Sequence, residues 1–425
     1  MSAEKGEILC IHYYFPPLKS TAVIRNYHIA CTLASYYEKV HVLTSNNHLR
    51  FPNQVRSFPK QLITYDIPTL DYRYALSGKS KKDAHISTAK KASALYQFLL
   101  KVQKSFPFNL FLAEGNLFYI FKAYNRAKQL ISDHNISTIY SSFGPYADHY
   151  VAWLLKRKYP HLKWVADFRD LQIEPIYKNV IWKGLQRKVE KKVLSKANLI
   201  TCISQGFVDQ LSVYQRPIIS MLRGVELRPA EVQYDRFTIG YTGSLYFDYR
   251  DPRPLFSVLQ SLIKEGKINF DDLHILYAGR DGAQFEEWIN DHNLSECFIN
   301  KGLVSQEDAK SIQNKSHINL LLTSSSPELT GVITGKIFEY FEALNPTLCL
   351  ISGVYDPEFE SLFQELNAGS VVYSPERTPG KMRDFILTKY EEWKTSHRVE
   401  PSIHKNVIKE KYSWKNQVEK MLSEL

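Results

Sequence analysis

Cysteine and methionine are scarce in this chain, with 5 and 4 copies among 425 residues. Cys10, Cys31, Cys202, Cys297 and Cys349 stand singly, mostly inside apolar runs, and no two of them form a CxxC pair. That pattern excludes a disulfide framework and a cysteine-based zinc site, and it predicts reduced thiols buried in cores. Long hydrophobic runs are missing as well. Stretches such as Phe118–Phe121 and Ile318–Leu322 fall far short of the roughly 20 apolar residues that span a bilayer. The opening residues Met1–Gly6 are polar and acidic, without the basic flank and cleavage site of a secretory signal, so a cytoplasmic protein is expected.

What is present is an ordinary globular composition, 44% hydrophobic and 23% charged, which excludes both disorder and a fibrous repeat. A chain of 425 residues exceeds a single core of usual size, so two domains are expected. The net charge of +10 is unevenly spread. Residues 1–200 hold 30 Lys and Arg against 13 Asp and Glu, whereas residues 201–425 hold 24 against 31. One half therefore suits an anionic partner, such as a phosphorylated lipid surface or nucleic acid, and the other has a different task.

Short β-rich runs alternate with helical patterns, the mark of βαβ units and a parallel sheet. In the first half the expected strands are Ile8–Tyr13, Val40–Thr44, Thr138–Ser142, Trp164–Asp167, Leu199–Ile203 and Ile218–Leu222. After a polar segment the alternation restarts, with strands expected at Phe237–Tyr241, Leu273–Ala278, Phe298–Lys301, Ile318–Leu322, Thr347–Ile351 and Ser370–Tyr373. The fold class is thus α/β, with two Rossmann-like doubly wound parallel sheets facing across a cleft. The domains are expected at 1–224 and 225–403, with a C-terminal helix within 404–425 returning to the first. The polar, basic excursion Asn46–Lys104 shows no clear strand and is expected to be mobile. Such sheets bind ligands beyond the carboxyl ends of their strands, so functional residues should sit on the loops there.

One such loop is rich in small residues: Thr323 to Gly335 separates the strand Ile318–Leu322 from a helix opening with Lys336-Ile-Phe-Glu339. Gly331 and Gly335 allow a backbone to approach a phosphate, the first-turn amides lack internal partners, and Lys336 adds positive charge. Glu339, one turn deeper on the same face, has a carboxylate suited to ribose hydroxyls. An ordinary helix start with an exposed Lys and Glu fits the same spacing. Gly243 and Ser244, just past an expected strand, offer amides and a hydroxyl to phosphates, and Arg250 is either a phosphate fork or a surface ion-pair member.

These residues resemble a known family. Gly335-Lys336-Ile337-Phe338-Glu339-Tyr340-Phe341 followed by Asn345-Pro346 is similar to the KxxEYxxxxxP segment of GT-B glycosyltransferases, family 4 especially. Tyr13-Tyr14-Phe15-Pro16-Pro17 with Arg25 resembles their first loop and helix, and Thr238 to Leu245 resembles the opening of their donor domain. Ser142 to His149 with Ala166-Asp167-Phe168-Arg169-Asp170 resembles the H…DFRD stretch of bacterial surface-glycan members.

The resemblance implies transfer of a sugar from a nucleotide-sugar to a hydroxyl of a lipid-linked or growing surface glycan, with retention and without metal. Lys336 then matches the diphosphate side, Glu339 the ribose, Gly243, Ser244, Arg250, Gly331 and Gly335 the donor loops, and His149 a catalytic position facing the cleft. Pro17, Arg25, Asp167 and Arg169 fall on the substrate side, although an Asp-x-Arg-Asp cluster also serves as a loop brace. The family's first glutamate is replaced by Gly331, with Glu328 a possible stand-in. Nucleotide-sugar is a substrate, so no resident cofactor is expected. A sugar-nucleotide epimerase of the same shape is the alternative, and a basic nucleic-acid-binding protein a more distant one. The helical run Lys183–Lys196, dense in Lys and Arg, suggests peripheral contact with an anionic membrane face.

Overall fold

The computed structural model describes residues 6–18, 21–49, 56–70, 94–173, 179–245, 250–327, 330, 331, 333, 335–373 and 379–425. The chain divides into two compact units. One is Met1–Leu222 with Trp414–Leu425, and the other is Arg223–Ser413.

The first unit carries strands β1 (Glu7–Ile11), β2 (Val40–Ser45), β3 (Leu62–Ile67), β4 (Ile136–Ser142), β5 (Lys163–Phe168), β6 (Leu199–Cys202) and β7 (Ile218–Ser220). They form one parallel sheet in the order β3-β2-β1-β4-β5-β6-β7. Every residue of β1 and of β2 is buried, as expected for strands covered on both faces. The second unit repeats the plan with β8 (Phe237–Thr242), β9 (Leu273–Ala278), β10 (Phe298–Asn300), β11 (Ile318–Ser325), β12 (Thr347–Gly353) and β13 (Gly369–Tyr373), in the parallel order β10-β9-β8-β11-β12-β13. In each sheet the order reverses next to the first strand, between β1 and β4 and between β8 and β11. The loops leaving those strands therefore diverge and open a crevice at the carboxyl edge of each sheet.

Strand β3 lies inside the excursion expected to hold none. Leu62 to Ile67 pairs in parallel with Val40 to Ser45, yet its central residues are mostly exposed. As an edge strand it shows only Leu62 and Ile67 to the interior, so no continuous apolar run announces it. The basic Gly78–Lys82 stretch lies outside the described residues.

The C-terminal segment breaks at Ser413. Before it, Tyr412 and Lys411 bond the carboxylate of Glu365 in the second unit. After it, the helix Trp414–Ser423 packs on the helix Thr21–Leu33, with Trp414 stacked 4.9 Å from the His28 ring and Tyr36 donating to Glu419 at 2.7 Å. Trp414, Val418 and Met421 thereby join Ile29, Leu33 and Val42 in the core of the first unit.

Candidate active site

In the second unit, the candidate residues converge at the carboxyl end of β8. Gly243 has φ +146, and a Cβ built on it would fall 1.2 Å from Lys336 Nζ. The backbone conformation favours glycine here, and the Lys336 ammonium fills the space that a side chain would take. Lys336, in the first turn of the helix Gly335–Ala343, donates to the Thr242 carbonyl at 2.7 Å and lies 5.2 Å above the Tyr241 ring. Burial pushes its ammonium down to about 8, with the nearby Arg250 and Arg280 acting in the same direction and Glu339 and Asp281 against it.

The turn after Gly243 is held by those same cations. Arg250 Nη1 donates to the Ser244 carbonyl at 3.3 Å, and Arg280 Nε donates to Ser244 Oγ at 2.8 Å. Three cations therefore surround one glycine-containing turn at the switch point of the sheet, a charge arrangement suited to a dianion. Arg253, by contrast, is paired with Asp251 at 2.8 Å and covers Trp288, a surface brace.

Glu339 is half-buried and accepts from Gln313 Nε2 at 3.4 Å, while the same Nε2 donates to Thr242 Oγ1 at 2.8 Å. Arg228 fixes which way that amide faces by donating to Gln313 Oε1 at 2.8 Å. Arg228 and Arg223 both also bond the buried carboxylate of Glu342, at 3.0 and 3.1 Å. Gln313 and Arg228 thus position Glu339. Gly331 donates its N–H to Asp356 Oδ2 at 2.7 Å, which ties the loop to the cap of the helix Pro357–Leu366. Gly335 faces open space and its carbonyl accepts from Arg223 at 2.9 Å. Glu328 lies outside the described residues.

The first unit has a cavity of about 760 Å³ at the carboxyl edge of its sheet, lined in part by Tyr14, Glu114, Tyr146, Arg169, Asp170 and Gln172. Arg169 braces its wall by donating to the carbonyls of Phe143 at 2.7 Å and Gly144 at 3.1 Å. Gly144 has φ +96, and a Cβ there would come within 2.2 Å of the Arg169 guanidinium, so this wall also needs glycine. Burial raises the Glu114 carboxyl to about 7 against the opposing pull of Arg169.

Arg25 and Asp167 meet each other. Nη2 and Nε of Arg25 reach the carboxylate at 2.8 and 3.1 Å, Thr201 Oγ1 adds a bond of 2.8 Å, and both side chains are almost wholly buried. Asp167 is thus paired with Arg25 from another element and not with Arg169 of its own motif. The guanidinium beside Asp167 holds its carboxyl below the usual range despite burial. Pro17 is half-buried on the loop after β1, whose Tyr13 N–H donates to Asp148 at 2.8 Å.

His149, expected to face the cleft, has 0% of its surface exposed. Its Nδ1 bonds Ser141 Oγ at 2.8 Å, and Phe143, Tyr146, Trp164 and Phe168 surround the ring. That aromatic enclosure strips water from the imidazole and holds its pKa near 3, so the ring is neutral at physiological pH. His149 therefore lies beneath Phe143 and Tyr146, which line the cavity. Arg280 and Glu114 had no motif to mark them. The only sign in the sequence was that Arg280 follows the end of an expected strand.

No protein-family model matches the chain, and no curated protein matches its sequence. Solved structures do match its fold. A sucrose-phosphate synthase from Thermosynechococcus elongatus superposes with TM-score 0.58 at 12% identity, covering 98% of both chains. The lipopolysaccharide outer core galactosyltransferase WaaB superposes with TM-score 0.53 at 12% identity and 98% of both. An E. coli trehalose-6-phosphate protein, bound with UDP-2-fluoro glucose, gives 0.54 at 12% identity and 98% of both. The fold is that of the GT-B glycosyltransferases, consistent with the family 4 resemblance of the sequence.

The pH response of the cation turn is a direct consequence of the Lys336 environment. Only the charged ammonium attracts a diphosphate, so nucleoside diphosphate affinity is expected to be highest below pH 8. It should fall as pH rises through about 8, by up to about tenfold per pH unit. Calorimetric titrations at pH 7 and pH 9.5 measure this, and Lys336→Ala should flatten the profile. Equal affinity at both pH values in wild type would contradict it.

Proposed function

We propose that the protein is a glycosyltransferase that moves a hexosyl group from a nucleotide-sugar to an acceptor hydroxyl. The carrying observation is the convergence of Lys336, Arg250 and Arg280 on the Gly243–Ser244 turn, with Glu339 one helical turn from Lys336. In this reading the three cations and the turn amides bind the donor diphosphate and stabilise the charge that grows on it as the glycosidic bond breaks. They supply the electrophilic help that a divalent ion provides in other transferases, so transfer proceeds without one. Glu339, aimed by Gln313, binds the ribose. Retention of configuration is supported by the family resemblance of the donor motifs.

The cavity of the first unit is proposed to take the acceptor. Arg169 and Glu114 supply its polar contacts, Tyr14 lines it from the loop after β1 that also carries Pro17, and His149 packs behind the lining residues Phe143 and Tyr146, while the Arg25–Asp167 pair holds the end of β5 from which Arg169 follows. Glu114, near neutrality in pKa, is suited to accept a hydroxyl hydrogen bond without the cost of a buried full charge.

A lipid-linked acceptor on the inner face of the cell membrane, within surface-glycan synthesis, is supported by the surroundings of that cavity. Among the described residues no helix is long and apolar enough to cross a membrane. Phe98, Leu99 and Phe111, each more than half exposed, project from the helices Ala94–Lys104 and Asn109–Leu112, whose Leu100, Lys104 and Leu110 line the cavity. Trp182 stacks on Phe108 at 5.9 Å and precedes the helix Lys183–Leu194, whose Arg187, Lys188, Lys191 and Lys192 are exposed. The buried side of that helix is Gln186, Glu190, Val193 and Leu194, which leaves Leu185 outward with the cations. Apolar side chains beside a basic helix match an anionic bilayer surface.

Vesicle sedimentation tests this part. Wild type should sediment with anionic vesicles at low salt and release at high salt, and replacing Arg187, Lys188, Lys191 and Lys192 by Gln should abolish the binding. Failure of wild type to sediment at low salt would leave a soluble acceptor as the better account.

A further inference from the structure

At the opposite edge of the first sheet, where the strands begin, Glu7, His41 and His134 bring one ligand atom each to within 4.8 Å of one another. They come from three separate elements. Glu7 opens β1, His41 lies on β2, and His134 follows the helix Leu117–Asp133. His41 Nε2 is 2.6 Å from Glu7 Oε2, and His134 Nδ1 is 3.2 Å from the same oxygen. The two imidazole rings are 4.4 Å apart and tilted by 44°.

The groups around this trio orient it. Tyr65, on β3, places its hydroxyl 3.0 Å from His41 Nδ1. When that hydroxyl accepts from Nδ1–H, the Nε2 lone pair is turned toward the carboxylate, which is how an outer hydrogen bond fixes a metal-ligating histidine. Lys39 holds the other Glu7 oxygen, Oε1, at 3.1 Å, leaving Oε2 as the single oxygen shared with both rings. Glu7 and His41 are buried, whereas His134 is 27% exposed and gives an approach from solvent.

We propose that Glu7, His41 and His134 form a site for a divalent d-block cation, zinc by the chemistry of its ligands. Two neutral imidazoles and one carboxylate oxygen, with water as the fourth ligand, are a tetrahedral zinc set. Binding needs no oxidant. With both rings ligating as neutral imidazoles, the His41 proton sits on Nδ1, which donates a hydrogen bond to the Tyr65 hydroxyl, and the His134 proton sits on Nε2. The ion joins the starts of β1 and β2 to the end of the helix Leu117–Asp133. Since these residues begin the strands and the candidate active-site loops end them, the ion has a structural role. The site stands independently of the proposed transferase activity.

The test is zinc uptake by the full chain after EDTA treatment and desalting, measured against a chromophoric chelator, together with thermal unfolding. Wild type should take one equivalent that is lost in His134→Ala and in Glu7→Gln. Those two variants should bind on the order of 100-fold more weakly, and Tyr65→Phe roughly tenfold more weakly. His161→Ala, a change at an exposed histidine outside the site, should bind like wild type. Zinc should raise the Tm of wild type and of His161→Ala but not of His134→Ala. His134 is partly exposed, so its variant should fold, and Glu7→Gln keeps the side-chain shape. The proposal is overturned if wild type takes up no zinc, or if His134→Ala and Glu7→Gln both retain wild-type affinity.

Discussion

Lys336→Ala should lower sugar transfer by about 10²- to 10³-fold in kcat, the usual cost of removing one preorganised group from developing negative charge. Folding should be spared. The side chain sits in a first helical turn, half-buried, and its single hydrogen bond goes to the Thr242 carbonyl at the end of β8. Loss of an ammonium whose pKa burial has already pushed down to about 8 relieves a desolvation cost in the free protein, so Tm should hold or rise slightly. Kinetics with a nucleotide-sugar donor, alongside a thermal melt, separate the two effects. Unchanged turnover would remove Lys336 from the site, and a collapse of Tm would make it a structural residue.

Arg25→Ala should act in the opposite sense, on folding. Arg25 and Asp167 are 6% and 0% exposed and share two hydrogen bonds. Removing the guanidinium leaves a buried carboxylate with only hydroxyl partners, a loss of about 3–5 kcal/mol. For a unit of this size that corresponds to a Tm lower by roughly 10 °C. The double replacement Arg25→Met with Asp167→Leu, which leaves no unpaired charge, should recover much of the loss. Urea unfolding of the three proteins reads this directly. A single variant within 1 kcal/mol of wild type would show that the pair is not the brace described.

These two outcomes also mark what could be read before the structure. The inner strands of both sheets were legible because buried parallel strands are continuous apolar runs. Strand β3 was not, because an edge strand with Asp66 and exposed positions has no such run. Lys336 and Glu339 were singled out by the family resemblance of the segment Gly335–Pro346, because their spacing alone fits an ordinary helix start equally well. Arg280 was not, since its value depends on β9 lying beside β8, which brings Ala278 next to Thr242. Glu114 takes its character from a cavity whose walls come from residues around 144 and 169, and no local pattern carries that. The burial of His149 follows from Trp164 and Phe168 on β5, side chains that its own helix does not reveal. The cluster of Glu7, His41 and His134 escaped because its members are far apart in the chain and match no ligand spacing.

The central claim is that the second unit binds a nucleotide-sugar through its diphosphate and ribose, and calorimetric titration of wild type, Lys336→Ala and Glu339→Ala with nucleoside diphosphates and with pyrophosphate tests it most directly. The account predicts that at least one nucleoside diphosphate binds wild type, that Lys336→Ala weakens both ligand classes, and that Glu339→Ala weakens the nucleoside diphosphate by about 1–3 kcal/mol while sparing pyrophosphate. No binding of any nucleoside diphosphate to wild type, or equal losses for the two ligand classes in Glu339→Ala, would contradict it.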